Sequence, residues 1–398
     1  MLNSHSCVNG KPILATLADL LAPVPFSEFI DAFRARERLH VSASDPTRAE
    51  TLFSWREIDT LLSEHVLDDN VKIMRDGVRV PRQFYTSNEG KWLNVGAFHD
   101  LLPQGVSVVV DDVARSIPQI SQLATAIERE MGLNTHVNAY LSFSKGGAFK
   151  PHWDLSDILV VQVHGKKRWR IWNTEISHFV ETDRTKINTS VAPDQELELA
   201  AGDVLFIPRG APHSAAVSTE RSVHLTIGLY SETGIDFLEH LRKEAAKDPR
   251  LHIDLPRHSS KEELVAHEAM LKQQLRQLVD AASISQFLLE GDLARLPALQ
   301  TAVAEPSVRM DDVLRLTLRR RIPLPDVTPE SRPQLVTIGG EARHLSPASI
   351  DALRWLFDHD PATAYSLCGG LSTHGQESIE TAIRELLRLG FLVVNRGG

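Results

Sequence analysis

The stretch from Val137 to Asn173, VNAYLSFSKGGAFKPHWDLSDILVVQVHGKKRWRIWN, carries the architecture. Within it VNAYLSF (137–143), DILVVQVHG (157–165) and KRWRIWN (167–173) are rich in β-branched and aromatic residues, which favour strands. Turn chemistry at Lys145-Gly146-Gly147 and His164-Gly165-Lys166 separates them. The texture continues in LELAAGDVLFIP (197–208) and RSVHLTIGLY (221–230), with corners at Ala201-Gly202-Asp203 and Pro208-Arg209-Gly210. Many short strands joined by Gly and Pro corners predict a sandwich or barrel rather than a Rossmann sheet. No glycine-rich phosphate loop is present in the sequence.

Upstream of this block the patterns are mainly helical. Phe26, Phe29, Ile30 and Phe33 recur at helical spacing. Ser54 with Glu57 fits a capping box for a helix over 54–62. Asp76-Gly77 signals a hairpin within 71–85, Val106–Val110 reads as a buried strand, and 117–131 as a helix stopped by Gly132. Downstream, 234–247, 260–290 and 292–304 read as helices, with Leu264, Leu271, Leu275 and Leu278 on one stripe. The Pro- and Arg-rich segment LRRRIPLPDVTPESRP (318–333) leads into a small unit. Helices near 347–359, 362–368 and 376–389, then a strand at 391–394, give that unit the outline of a winged helix. The expected division is 1–232 (barrel with N-terminal additions), 233–305 (helical segment) and 306–398 (winged-helix-like domain).

Composition narrows the class. The chain has 398 residues, a net charge of −9, 42% hydrophobic and 24% charged residues, ordinary for a soluble multi-domain protein. Its two cysteines, Cys7 and Cys368, are too few for a disulfide framework or a cysteine zinc site. No apolar run approaches the ~18 residues of a membrane span. MLNSHSCVNG has neither a charged n-region nor an apolar h-region, so a cytoplasmic location without membrane contact is expected. The acidic balance argues against general nucleic-acid binding.

The chemistry-bearing pattern is His152-Trp153-Asp154 followed by His213. Alternate residues of a strand share a face, so His152 and Asp154 project together. The strand and Pro/Gly turn of GDVLFIPRGAPH bring His213 back towards them. An isolated HxD is common, and a lone His213 could simply satisfy a loop. Combined with the downstream GD…P.G..H corner and a basic pair at a strand start, the pattern predicts a metal site. Two imidazoles and one carboxylate on one face leave three adjacent coordination positions open, the facial arrangement of non-haem Fe(II) oxygenases. O₂ and a chelating co-substrate need those positions side by side.

NAYLSFSKGGAFKPHWD (138–154), DILVVQVHGKKRWRIW (157–172), LAAGDVLFIPRGAPHSA (199–215) and SVHLTIG (222–228) resemble the JmjC subclass of the cupin superfamily, and within it the ribosomal oxygenases. The resemblance implies an α+β chain: a double-stranded β-helix (cupin or jelly-roll) catalytic domain, a helical dimerisation segment and a C-terminal winged-helix domain. It implies an Fe(II)- and 2-oxoglutarate-dependent dioxygenase that hydroxylates a side chain, Arg or His, of a ribosomal protein. His152, Asp154 and His213 fall on the family's iron ligands; Lys167 and Tyr140 fall on the pair that grips the distal carboxylate of 2-oxoglutarate. Trp153 stands where these enzymes usually have tyrosine, and Phe143 replaces a small turn residue. The same iron centre would also serve N-demethylation. A natural-product peptide or small molecule as substrate, or a non-catalytic metal-binding cupin module, are the alternatives.

Other residues are weighed individually. Asn138 alternates with Tyr140 and either faces the cofactor pocket or satisfies a strand end. His224 reads as an inward, hydrogen-bonded core histidine, or as support for the site. Trp169 and Trp172 read as core packing, and Lys166 as a solvated neighbour of Lys167. Arg319, Arg320 and Arg321 read as a solvated linker, or as a contact for an anionic partner. The last helix, ESIETAIRELLRLG, mixes Glu377, Glu380 and Glu385 with Arg384 and Arg388, so a scaffolding role is expected rather than direct nucleic-acid binding.

Overall fold

The computed structural model describes residues 7–8, 11–12, 14–64, 70–75, 77–87, 90, 92–143, 150–173, 191–298 and 308–395. The expected turn at Lys145-Gly146-Gly147 and Asp76 of the expected hairpin lie outside them. Eleven strands build the barrel region: β1 Leu39–Val41, β2 Val71–Arg75, β3 Val78–Arg79, β4 Ser107–Val110, β5 Asn134–Ser142, β6 Asp157–His164, β7 Lys167–Ile171, β8 Gln195–Leu199, β9 Val204–Ile207, β10 His213–Val217 and β11 Ser222–Tyr230. They form an antiparallel major sheet in the order β1-β9-β6-β11-β5-β4-β2-β3 and a minor sheet in the order β8-β7-β10. This pairing of sheets is a jelly roll.

The run DILVVQVH is almost continuously apolar because β6 is buried on both faces. Leu159, Val161 and Val163 point to the helical side, where the main core also takes Val223, Leu225 and Ile227 of β11 and Val137, Ala139 and Leu141 of β5. Ile158 and Val160 point the other way, into a small core with Trp169, Ile171, Leu199, Leu205 and Ile207. The minor sheet is one-sided, and β7 alternates buried and exposed residues. Its outer face is a charge ladder in which Lys166 pairs with Glu198, and Arg168 and Arg170 with Glu196.

The register of β6 shifts at Gln162–His164. The Gln162 amide donates there to the His164 carbonyl (2.7 Å) and the Ser222 hydroxyl (2.8 Å). Gly165 then turns the chain with φ +66°, and a Cβ there would lie 2.0 Å from the Arg221 carbonyl oxygen. This bulge and turn carry the chain from the major to the minor sheet and aim Lys167 inwards.

The expected corner at Ala201-Gly202-Asp203 is found: Gly202 (φ +89°) turns the chain between Gln195–Leu199 and Val204–Ile207. Several other sequence expectations are corrected. The helical run 260–290 breaks at Ala282–Ser283, giving Lys261–Ala281 and Ile284–Ala294, with Ser283 capping the second helix through the Gln286 amide. The expected helix 292–304 is replaced by the end of that helix and non-helical chain to 298, and 299–304 lie outside the described residues. A hairpin of Gln334–Ile338 and Glu341–Leu345 was not anticipated; Gly339 and Gly340, both at positive φ, form its two-residue turn.

In the C-terminal part, helices Pro347–His359, Ala364–Gly370 and Gln376–Arg388 surround a core that includes Leu353, Leu356, Leu367, Ile383 and Leu386. Within the basic run Arg321 is solvated as expected, but Arg319 is half-buried and Arg320 buried, and all three face carboxylates of this chain. Arg320 is only 5% exposed; it bonds Asp292 (2.8 Å), Asn134 (2.8 Å) and the Glu128 carbonyl. Arg319 and Arg295 close on the fully buried Glu128 carboxylate, and Arg321 pairs with Asp358. Glu128 lies on the helix Pro118–Met131, whose Arg129 pairs with Asp360. The run therefore clamps the C-terminal part onto that helix. No helix of the described residues is long and apolar enough to cross a membrane.

Candidate metal centre

His152 and His213 are tied by a two-hydrogen-bond bridge between their backbones, 3.0 and 2.7 Å. That bridge sets their rings 4.6 Å apart, although His152 precedes β6 and His213 begins β10. Each ring is oriented in the same way: Nδ1 of His152 lies 2.9 Å from the Lys150 carbonyl, and Nδ1 of His213 lies 3.0 Å from the Ala211 carbonyl. A carbonyl can only accept, so each Nδ1 carries a proton, and the neutral ring then offers its Nε2 as the ligand atom. Such fixing of the tautomer by a carbonyl is the usual support of a metal-bound imidazole.

Nε2 of His213 lies 3.6 Å from the Asp154 carboxylate, whose own backbone carbonyl accepts from Gly210 N–H. One donor atom from each of His152, Asp154 and His213 lies within 4.8 Å of the others. Burial and the neighbouring His152 push the His213 pKa down, so it presents the neutral imidazole that a metal requires. Trp153 is buried away from the centre and does not line the cavity.

The cavity beside these residues is lined by Tyr140, Lys167, Trp169, His213, His224 and Thr226, among others. Lys167 is 4% exposed, and no carboxylate of the described residues pairs with it. Its Nζ donates to Nδ1 of His224 (3.0 Å) and lies 3.4 Å from the Ser142 hydroxyl. Desolvation pushes its pKa down to about 7. His224 is held neutral, well below its ordinary pKa, by burial and by Lys167. Its ring stacks on Tyr140 with centroids 4.8 Å apart.

Burial, and then the charge of Asp154, push the Tyr140 hydroxyl up to about 12, so it stays a phenol and can donate. Asn138 is not in the cavity lining; it hydrogen-bonds the Tyr140 hydroxyl while its carbonyl accepts from Asp112 N–H (3.0 Å). The sequence reading named the triad, Lys167, Tyr140 and Asn138. It leaves His224 open between core and support, and it misses Ser142, Ser107 (in the cavity lining, its hydroxyl 2.6 Å from that of Ser142) and the cavity-facing position of Trp169. The alternation of Lys167 with Trp169, and of Tyr140 with Ser142, was the available signal for those residues.

Residues 112–237 match the family model described as the JmjC domain. The bifunctional lysine-specific demethylase and histidyl-hydroxylase NO66 of Drosophila yakuba is 26% identical over 271 residues, 64% of this chain and 38% of that protein. Its namesake from Culex quinquefasciatus is 27% identical over 246 residues, 58% of this chain and 36% of that protein. The chain thus spans well under half the length of these relatives. The Escherichia coli ribosomal oxygenase YcfD shares the fold, with a TM-score of 0.54 at 15% identity over 94% of this chain and 98% of that one. A second YcfD structure, in complex with cobalt and 2-oxoglutarate, has a TM-score of 0.53 at 15% identity over 94% and 99%.

Proposed function

Starting from the JmjC domain at residues 112–237, we propose that the chain is an Fe(II)- and 2-oxoglutarate-dependent oxygenase that hydroxylates a protein side chain, an Arg or His of a ribosomal protein. The observation that carries this reading is the presence, in one cavity, of a three-donor set and a buried lysine without a carboxylate partner among the described residues. A buried cation is costly unless an anion joins it. The donor set suits Fe(II), for two neutral imidazoles and one carboxylate leave half the coordination sphere open.

His152, Asp154 and His213 would hold the metal, with their carbonyl-bonded Nδ1 atoms fixing the rings. Lys167 would grip the far carboxylate of 2-oxoglutarate, the Tyr140 hydroxyl would donate to it, and Asn138 would orient Tyr140. Lysine offers a point charge there rather than a fork. His224, neutral and acceptor towards Lys167, keeps Nζ in place. With O₂ as the oxidant, the bound metal and 2-oxoglutarate would supply oxidative decarboxylation to succinate and CO₂, one oxygen atom entering succinate and the other a C–H bond of the substrate. Ile158, Trp169 and Ala215 in the cavity lining would limit the access of water to that step.

The names of the NO66 and YcfD relatives support a protein substrate, and those of NO66 also keep N-demethylation in view. We read 233–305 as a dimerisation segment, supported by the exposed Ile235, Leu238, Leu264, Leu275 and Ile284 on its helices. We read 306–398 as a winged-helix-like scaffold. Succinate release from 2-oxoglutarate with Fe(II), lost in Asp154→Ala, tests the oxygenase class. Mass spectrometry of ribosomal proteins from a deletion strain tests the substrate: one protein should lose the mass of a single oxygen atom, and unchanged masses would refute the ribosomal assignment.

A further inference from the structure

Trp169 and Trp172 sit three residues apart, and both are buried. The Trp172 indole donates to the Val191 carbonyl at 2.9 Å. The Trp169 Nε1 is buried with no hydrogen-bond partner among the described residues, although its residue is only 3% exposed. A buried N–H left without an acceptor costs roughly 1–3 kcal/mol, and such orphans in a native core call for a missing partner. Phenylalanine would serve pure packing here without that cost.

The position of Trp169 says what the missing partner is. On β7 the inward side chains are Lys167, Trp169 and Ile171. In register with β10, Lys167 lies opposite Val217, Trp169 opposite Ala215 and Ile171 opposite His213. The indole thus stands halfway along the cavity between the metal centre and the buried ammonium. Its ring is 5.9 Å from that of His213 and meets that of His224 edge-on at 5.6 Å. Ile158 and Ala215, also in the cavity lining, offer no side-chain acceptor. Indole nitrogen only donates, so the partner must bring an acceptor oxygen.

We propose that the Trp169 indole N–H is a binding donor for a carboxylate oxygen of the dicarboxylate that lies between the metal centre and Lys167. The inference rests on the oxygenase reading above. It assigns Trp169 a part in co-substrate binding beyond the packing that its sequence suggests. A third donor in this wall would favour a diacid over a monoacid of the same length, because a charged acceptor makes the stronger bond.

The test uses the full-length chain loaded with diamagnetic Zn(II) and labelled with ¹⁵N-tryptophan, titrated with 2-oxoglutarate. The Trp169 indole resonance, assigned through its nuclear Overhauser contacts to His213 and His224, should move downfield on addition. In parallel, calorimetry of Trp169→Phe should show 2-oxoglutarate binding weakened roughly ten-fold or more, with Zn(II) affinity retained. An unmoved indole resonance in a protein that binds 2-oxoglutarate would overturn the inference and leave the oxygenase reading intact. So would equal affinity in a folded Trp169→Phe variant. Absence of 2-oxoglutarate binding by the wild-type protein would sink both. Should the variant not fold, the resonance experiment on the wild type decides.

Discussion

Lys167 carries a conflict between stability and function. In the folded chain without an anion its pKa is down at about 7, against 10.5 for a free lysine, because burial disfavours the charge. Between those two values the unfolded chain binds the extra proton, so folding stability rises with pH across that window and the full cost is present below it. Lys167→Met should therefore stabilise the metal-free protein at neutral and lower pH, and flatten this pH dependence, in urea unfolding followed from pH 6 to pH 9. The same variant should lose 2-oxoglutarate binding. For the wild type, 2-oxoglutarate affinity should fall as pH rises above about 7, by up to roughly ten-fold per unit, because the amine must take up a proton to meet the carboxylate. Calorimetry at several pH values reads this directly, and a flat profile would show that Lys167 does not meet the anion. Asp154→Ala leaves two imidazoles in place and should weaken divalent-metal binding by orders of magnitude in a competition titration with a chelating dye.

At the level of elements, the clamp between the helix Pro118–Met131 and the basic run makes a separate prediction. The Glu128 carboxylate is fully buried and accepts from Thr135 N–H and Oγ1, Arg295 and Arg319. Glu128→Gln keeps the shape and removes the charge that these guanidinium groups face. It should cost roughly 3 kcal/mol in chemical denaturation, the low end for breaking a buried ion pair, since Arg295 and Arg319 keep part of their surface in water. A loss below about 0.5 kcal/mol would show that the clamp is electrostatically idle.

The same elements show how far the sequence could be read. The strands around Val137–Asn173 announce themselves through β-branched runs and glycine turns, and the helix expected near 347–359 is found as Pro347–His359, with Ser346 capping it through the Ser349 amide. His152 and His213 could be joined in advance because the HxD pattern and the Gly/Pro corner are both local. What escaped were features set by distant partners. Arg319–Arg321 look like any surface charge run until Glu128 and Asp292, far away in sequence, are brought beside them. The break at Ala282–Ser283 is a single serine cap inside an otherwise unbroken helical pattern. Lys167's hydrogen-bond partner His224 is 57 residues away, joined only by the jelly-roll crossing.

For the whole molecule, the helices Gly234–Ala245, Lys261–Ala281 and Ile284–Ala294 bury almost nothing of their own: Leu241 is their one buried side chain. Meanwhile Ile235, Leu238, Val265, Val279 and Ile284 are all more than half exposed. In our proposal this apolar surface is where two copies of the chain meet. Sedimentation velocity should show a dimer for the wild type and a monomer for Leu238→Glu/Val265→Glu; a wild-type monomer at micromolar concentration would contradict the dimer reading. The account as a whole depends on one spatial relation, a metal and a buried cation at opposite ends of a single dicarboxylate. A crystal structure with Mn(II) and 2-oxoglutarate measures it directly. The anomalous peak should lie within bonding distance of both histidine Nε2 atoms and the Asp154 carboxylate, with the far carboxylate on Lys167 and Tyr140. A metal bound elsewhere, or a co-substrate whose far carboxylate leaves Lys167 alone in the wall, would contradict it.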